Sequence, residues 1–369
     1  MLPGQSAVID RTDLDFLVDV LHGNGFRVIG PRLRDAAIVL EELESGSQLP
    51  QGWGVETAPG RYRVYRRADQ AVFAQSAGPG SWKQFLHPPR RKIADIGPDA
   101  VTTQLTETPE PMAFLGVRGC DLAAIGVLGR VLGDGRYPDQ SFAGRRQGVF
   151  VVAVNCTEPG GVCFCVSMGA GPSTGPGYDL ALTERIDADG HRFLVDIGTE
   201  DGAHILAQVS ARVASAHEIA DARAAVEAAA GRMGRAMPDV DLPTLLRDSR
   251  ESPHWRDVAS RCLTCANCTM VCPTCFCTST EDLADLTSDH AERWQRWASC
   301  FELDFSYLHG GGVRRSGASR YRQWLTHKLG TWHDQFGGSG CVGCGRCIAW
   351  CPAGIDLTAE VARLAEVES

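Results

Sequence analysis

The chain has 369 residues, 44% of them hydrophobic and 22% charged, enough for two domains with sizeable cores. A formal net charge of −9, with no long basic run, sets nucleic acid aside as a partner. Fifteen cysteines, a start without the charged and apolar regions of a secretory signal, and no stretch of about 18 apolar residues point to metal-ligating thiols in a reducing cytoplasm, with no membrane span.

In chain order, apolar residues at helical spacing over 12–22 predict a helix closed by the turn Asn24-Gly25. A strand over 26–29 follows, broken by Gly30-Pro31, and a turn at 49–52 precedes a strand over 60–65. Residues 78–86 read as a loop anchored in the core by Trp82 and Phe85, in preference to a glycine-lined ligand loop. Residues 113–117 form a buried strand ending in Arg118-Gly119-Cys120-Asp121, then 122–132 a helix, then 149–154 a second buried strand ending in Asn155-Cys156. That succession is a parallel α/β unit.

Sites in open α/β sheets lie beyond the carboxyl ends of strands, which places Cys120 and Cys156 on one sheet edge. Cys163 and Cys165 follow on a Gly/Pro-rich loop reaching Gly177. Four thiols at one edge favour a metal site over buried small hydrophobes: a third iron–sulfur cluster, with zinc as the competitor. A hairpin is expected over 181–197, turning at Asp187-Ala188-Asp189-Gly190, and one or two helices over 203–237. Met237-Pro238 and Leu242-Pro243 mark a linker. The expected organisation is an α/β domain over 1–238 and a mostly α-helical, two-cluster ferredoxin domain over 239–369.

Two cysteine runs dominate that second domain. Cys262-x2-Cys265-x2-Cys268-x3-Cys272-Pro273 is repeated as Cys341-x2-Cys344-x2-Cys347-x3-Cys351-Pro352. Three thiolates at this spacing reach three corners of a cubane, and the fourth cysteine ligates the other cluster. The expected ligand sets are therefore Cys262, Cys265, Cys268 with Cys351, and Cys341, Cys344, Cys347 with Cys272. A zinc site shows separated cysteine or histidine pairs instead. The 68 residues between the runs predict helices over 281–297, 301–309 and 319–336. Arg314, Arg315, Arg320, Arg322 and Lys328 in this insert read as a solvated face, ahead of a surface steering an acidic partner. Cys275, Cys277 and Cys300 remain: further ligands of a fourth cluster, completions of the N-terminal site, or packed thiols.

Several motifs together are similar to a known group. They are Gly80-Ser81-Trp82-Lys83, the stretch from Gly116 to Leu122, Cys163-Phe164-Cys165, Cys275-Phe276-Cys277, and Cys341-Val342-Gly343-Cys344-Gly345-Arg346-Cys347. The chain resembles, over nearly its whole length, the β subunits of cytoplasmic sulfhydrogenases, which are bidirectional NiFe hydrogenases. The A subunits of anaerobic sulfite reductases belong to the same group. The resemblance implies an electron-transfer subunit, without catalytic residues, that relays electrons between a flavin/NAD(P)-binding diaphorase subunit and a catalytic partner. That partner is the NiFe small and large subunits or, as the alternative, a sirohaem sulfite reductase subunit; the motif set leans to the hydrogenase. No G-x-G-x-x-G fingerprint follows a strand, so nothing separate points to a nucleotide site in this chain. Two cubanes are expected as cofactors, with the remaining thiols open to one or two more. The rival readings are a zinc-stabilised binding module and a self-contained enzyme that uses a cluster in turnover.

Overall fold

The protein is described from a computed structural model covering residues 1–97, 102–104, 109–284, 286 and 289–368. The first region comprises β1 (Ser6–Asp10), α1 (Arg11–Gly23), β2 (Arg27–Arg34), β3 (Ala37–Glu42), the hairpin β4 (Trp53–Ala58) and β5 (Arg61–Arg66), and α2 (Lys83–Leu86). It continues with β6 (Arg90–Ile96), β7 (Thr102–Gln104), β8 (Met112–Arg118), α3 (Gly119–Leu128), α4 (Gln140–Gln147), β9 (Val149–Val154), β10 (Leu180–Asp187) and β11 (Gly190–Ile197). Then come α5 (Glu200–Leu206), β12 (Arg212–Val213) and α6 (Ala216–Ala230).

Eight strands form one sheet in the order β12-β1-β11-β10-β9-β8-β2-β3. The pairs β2–β8, β8–β9 and β9–β10 are parallel, and the outer pairs are antiparallel. Strand β8 is buried at every residue, as an unbroken apolar run in a sheet covered on both faces should be. Successive side chains alternate between two cores. Ala113 and Leu115 pack with Leu14, Leu17 and Leu21 of α1, while Met112 and Phe114 pack with Trp82, Leu122 and Ile125 on the other face. Between Leu115 and Val117 the register with β9 shifts, the mark of a β-bulge at Gly116. Val117 therefore joins the face opposite to that of Leu115, and Arg118 is re-aimed at the end of the strand. That bulge stands at the edge where Cys120 and Cys156 meet.

The second region contains α7 (Leu242–Asp248), α8 (His254–Arg261), α9 (Asn267–Met270), β13 (Thr278–Ala284), β14 (Ala291–Trp297), α10 (Gly317–Thr326), α11 (Trp332–Phe336), α12 (Arg346–Ala349) and α13 (Leu357–Glu368). Its core joins Leu246, Trp255, Tyr321, Trp324, Ile348 and Val361, with several of the cysteines packed on it. The sheet-rich N-terminal region and the helices toward the C-terminus are linked through a second sheet, ordered β13-β14-β6-β7.

Four expectations change. Residues 281–297 are not a helix but most of the hairpin β13/β14, paired from Thr278↔Trp297 to Ala284↔Ala291; residues 285, 287 and 288 of that span lie outside the described residues. The i,i+3 spacing of Trp294 and Trp297 imitates a helix face, but the strand is fixed by pairing with β6, a distant segment that local periodicity cannot register. Over 301–309 there is only a 3-10 turn, Asp304–Ser306, and a two-residue strand, Tyr307–Leu308. Gly30-Pro31 does not end β2, because β3 on its outer side still pairs through Gly30↔Glu41 and Arg32↔Val39. The stretch after 203 is interrupted by β12, which adds an edge strand to β1 between α5 and α6. The helices over 12–22 and 319–336, and the hairpin over 181–197, stand close to their expected bounds.

Candidate metal centres

The two cysteine runs adopt one backbone design. In the first, Thr264 and Ala266 have φ of 49° and 67°; in the second, Gly343 and Gly345, at the equivalent positions, have φ of 68° and 73°. These left-handed residues curl the loop around its own sulfur. The Thr264 N–H donates to Cys262 Sγ, and the Gly343 N–H to Cys341 Sγ, each at 3.4 Å. Each loop then enters a single-turn helix, α9 or α12, carrying the third cysteine.

Cys262, Cys265, Cys268 and Cys351 line one apolar cavity with Tyr321 and Trp324, and Cys347 of the other run reaches its wall. The Ile355 N–H donates to Cys351 Sγ at 3.3 Å. In the second group, burial pushes the Cys347 thiol well above the ordinary thiol value, and neighbouring Cys341, Cys344 and Cys272 push it further. Burial likewise raises Cys341 to about 12. A cationic iron core reverses that balance by holding the sulfurs as thiolates. The fourth cysteine of each run thus stands with the other run's first three.

The N-terminal thiols also converge. Cys120, Cys156, Cys163 and Cys165 line one cavity beyond the carboxyl ends of β8 and β9, together with Arg118, Asp121, Arg346 and Cys344. Burial raises Cys163 to about 11 and Cys165 to about 12. The buried Arg118 guanidinium donates through Nη2 to the Phe73 carbonyl, while its Nη1 has no hydrogen-bond partner. An orphaned buried cation beside four thiols fits an anionic metal–thiolate group in that space. Arg346 Nη1 lies 2.9 Å from Asp121 Oδ1, and Arg346 Nε donates to the Gly80 carbonyl at 3.1 Å, which ties this cavity to the loop before α2.

Cys275, Cys277 and Cys300 line a separate small cavity with Lys328. Lys328 corrects the reading of a solvated basic face: it is buried, and its Nζ donates to Cys272 Sγ at 3.3 Å. A cation among apolar neighbours signals burial only once those neighbours are known to be core, and Leu325 and Leu329 are both fully buried. Lys83, Arg118, Asp121 and Arg346 stood within conspicuous motifs, yet their service as buried charges around the sulfurs is a tertiary effect with no local signal.

Sulfur spacing bears on the choice of metal. Among the described residues, three or more His, Cys, Asp or Glu ligand atoms come within 4.8 Å of one another at two places, Asp95–His290–Glu292 and His254–Asp257–Glu360, neither holding a cysteine. Lys92 and Arg261 already neutralise those carboxylates. A tetrahedral zinc would draw its sulfurs to about 3.8 Å of one another, given Zn–S bonds near 2.3 Å. The cysteine groups are wider than that, which suits a cluster with one iron at each corner. Such clusters supply one-electron exchange at potentials set by burial, local charge and N–H···S bonds.

Residues 261–355 match the family model of the 4Fe-4S dicluster domain, which spans both runs. The chain is also 30% identical over 277 residues to the sulfhydrogenase 2 subunit β of Pyrococcus furiosus, covering 74% of this chain and 79% of that protein. The chain belongs to the sulfhydrogenase β-subunit family. For a member of this family, the dicluster match accounts for the eight cysteines of the two runs and leaves the other seven outside or between them. No solved structure matches the chain. Among the described residues no helix is long and apolar enough to cross a membrane.

Proposed function

We propose that this chain is the electron-relay subunit of a cytoplasmic NiFe hydrogenase complex, passing single electrons between a flavin/NAD(P)-binding diaphorase subunit and the hydrogenase small and large subunits. The observation that carries the proposal is the crossed arrangement of the two runs, in which Cys351 joins the cavity of Cys262, Cys265 and Cys268, and Cys272 joins Cys341, Cys344 and Cys347. Family membership supports the hydrogenase setting through the relative's name. In this reading residues 1–238 form the α/β domain and 239–369 the ferredoxin domain. Helices carry most of the latter's core, although β13 and β14 lie within it. The N-terminal thiols Cys120, Cys156, Cys163 and Cys165 hold a third cluster. None of the three centres is assigned bond-making chemistry.

Anaerobic iron and sulfide analysis tests the pair of cubanes, with at least about eight iron atoms per chain expected. Stoichiometric zinc without sulfide overturns the reading. For the third centre, Cys156→Ala/Cys165→Ala should lower iron by about one cubane's worth, about four atoms, and unchanged iron excludes it. Anaerobic affinity purification should recover flavin and NiFe subunits; recovery of a sirohaem subunit instead places the relay in a sulfite reductase. The isolated chain should not turn over hydrogen.

A further inference from the structure

Three cysteines lie outside those twelve ligands, and the fold brings them together. Cys275 and Cys277 leave the first run through Pro273-Thr274, and Cys300 follows β14; all three line one cavity with Lys328 and His327. Their frame is fixed. The Ala298 N–H donates to the Cys277 carbonyl at 2.8 Å, and Ser299 Oγ lies 2.8 Å from Thr269 Oγ1 in the core. Phe276, between the first two thiols, packs edge-on against Trp332 with ring centroids 6.1 Å apart.

Two buried lysines stand beside these thiols. Lys83 and Lys328 are 3% and 5% exposed, and among the described residues neither pairs with a carboxylate. Lys83 Nζ donates to the Cys275 carbonyl at 3.0 Å and sits 3.8 Å from the Trp297 ring centroid. Lys328 Nζ donates to Thr274 Oγ1 at 3.1 Å, to the Gly340 carbonyl at 3.2 Å, and to Cys272 Sγ. Burial lowers the pKa of Lys83, while Lys328, an ammonium taken out of water where this cavity meets Cys272, needs net negative charge beside it. Neutral thiols do not provide it, whereas a metal–thiolate group of net negative charge does. The three sulfurs are not gathered within 4.8 Å of one another, wider than a mononuclear zinc would hold them.

We propose that Cys275, Cys277 and Cys300 hold a further [4Fe–4S] cluster through three thiolates, with His327, which lines the same cavity, as the ligand of the fourth iron. This rests on the relay reading of the paired runs and extends it. The cluster assigned to Cys272, Cys341, Cys344 and Cys347 then becomes a junction. Its Cys272 adjoins Cys275, its Cys344 lines the N-terminal cavity, and its Cys347 reaches the cavity of Cys262 and Cys351. The relay branches at that centre.

Native mass spectrometry of the anaerobically purified full chain counts clusters directly. Cys277→Ala/Cys300→Ala should carry one cluster fewer than wild type, with about four fewer iron and sulfide per chain. An unchanged count overturns the proposal. If that variant misfolds and loses every cluster, Cys156→Ala/Cys165→Ala decides: three clusters retained supports the fourth centre, and two overturns it while leaving the paired cubanes intact. No cluster in wild type overturns the relay reading itself, and this proposal with it.

Discussion

The two cysteine runs share a backbone and differ in what surrounds it. The first run lies at the surface: Cys265 is exposed, and Leu263 is 65% exposed. Its left-handed positions are filled by Thr264 and Ala266, residues with a Cβ that carry the steric cost of positive φ. The second run lies inside. A Cβ on Gly343 would come 2.5 Å from the Phe164 carbonyl oxygen, and one on Gly345 would come 2.3 Å from that of Val162. Those glycines are therefore required twice, for φ and for the close approach of the Cys163–Cys165 loop. The difference separates two jobs on one ligand motif. On the proposed relay reading, an exposed cubane would exchange electrons with a docked partner, and a buried one would pass them among neighbours within the chain.

The largest effect expected from this contrast is on stability. Gly345→Ala adds both a disfavoured φ and a backbone clash, so we expect a loss of roughly 3 kcal/mol and separation of the N-terminal loop from the second run. Anaerobic thermal melting followed by iron release should show it. Ala266→Gly at the equivalent outer position should change stability by no more than about 1 kcal/mol, since relief of strain opposes the added chain entropy. Equal effects at the two sites would dissolve the distinction between inner and outer runs.

Next in size is an effect on potential. Lys328 places a buried positive charge 3.3 Å from Cys272 Sγ, where it favours the more negative, reduced cluster. Lys328→Met should lower the inner cluster's midpoint by on the order of tens of millivolts or more, read by EPR-monitored redox titration. The outer cluster should stay near its wild-type value. Parallel shifts of both clusters would show that the lysine acts through the fold and not on its neighbour.

Much of this molecule was legible in its amino-acid order. The strands β8 and β9 announce themselves as short apolar runs because both sheet faces are covered, and the loops after them carry the thiols where parallel sheets place their sites. The cysteine spacings foretell which thiols gather, as Cys262, Cys265 and Cys268 do around one cavity, because a three-residue step on a short loop leaves few other geometries. Legibility fails where distant segments decide. Ala291–Arg296 of β14 pair with Arg90–Ile96, a distant segment, and the local spacing of Trp294 and Trp297 imitates an amphipathic helix. Lys328 sits in a stretch that reads as a basic face until the thiol of Cys272 is placed beside it.

A pH dependence probes the seam those segments make. His87 is 1% exposed, neither ring nitrogen has a hydrogen-bond partner, and burial, aided by Arg91, lowers its pKa to about 4. Its neutral form is the folded form, so its contribution is complete above the unfolded value near 6.5 and is lost as pH falls toward 4. The loss amounts to about 3 kcal/mol across that window. Since the Trp297 indole at the end of β14 donates to the His87 carbonyl at 2.9 Å, acid should loosen the junction of the second sheet first. His87→Phe should flatten the dependence between pH 6.5 and 4 in denaturation curves. A slope unchanged by the substitution would place the acid-sensitive group elsewhere.

The smallest effect tests how far the two runs move together. The Asn267 side chain, at the start of α9, donates to the Trp350 carbonyl at the end of α12, and the Trp350 indole donates in turn to the Ala77 carbonyl at 2.8 Å. This links the outer run to the inner one and to the N-terminal region through one amide. Asn267→Ala should cost about 1 kcal/mol, the net worth of a single partly buried hydrogen bond. Its exposed ligand already leaves the outer cluster open to solvent, so the loss should appear as faster bleaching of that centre by a chelator while the inner cluster's potential stays put. Simultaneous bleaching of both centres would mean that the runs form one cooperative unit, and that surface exposure of Cys265 does not give the outer cluster a separate stability.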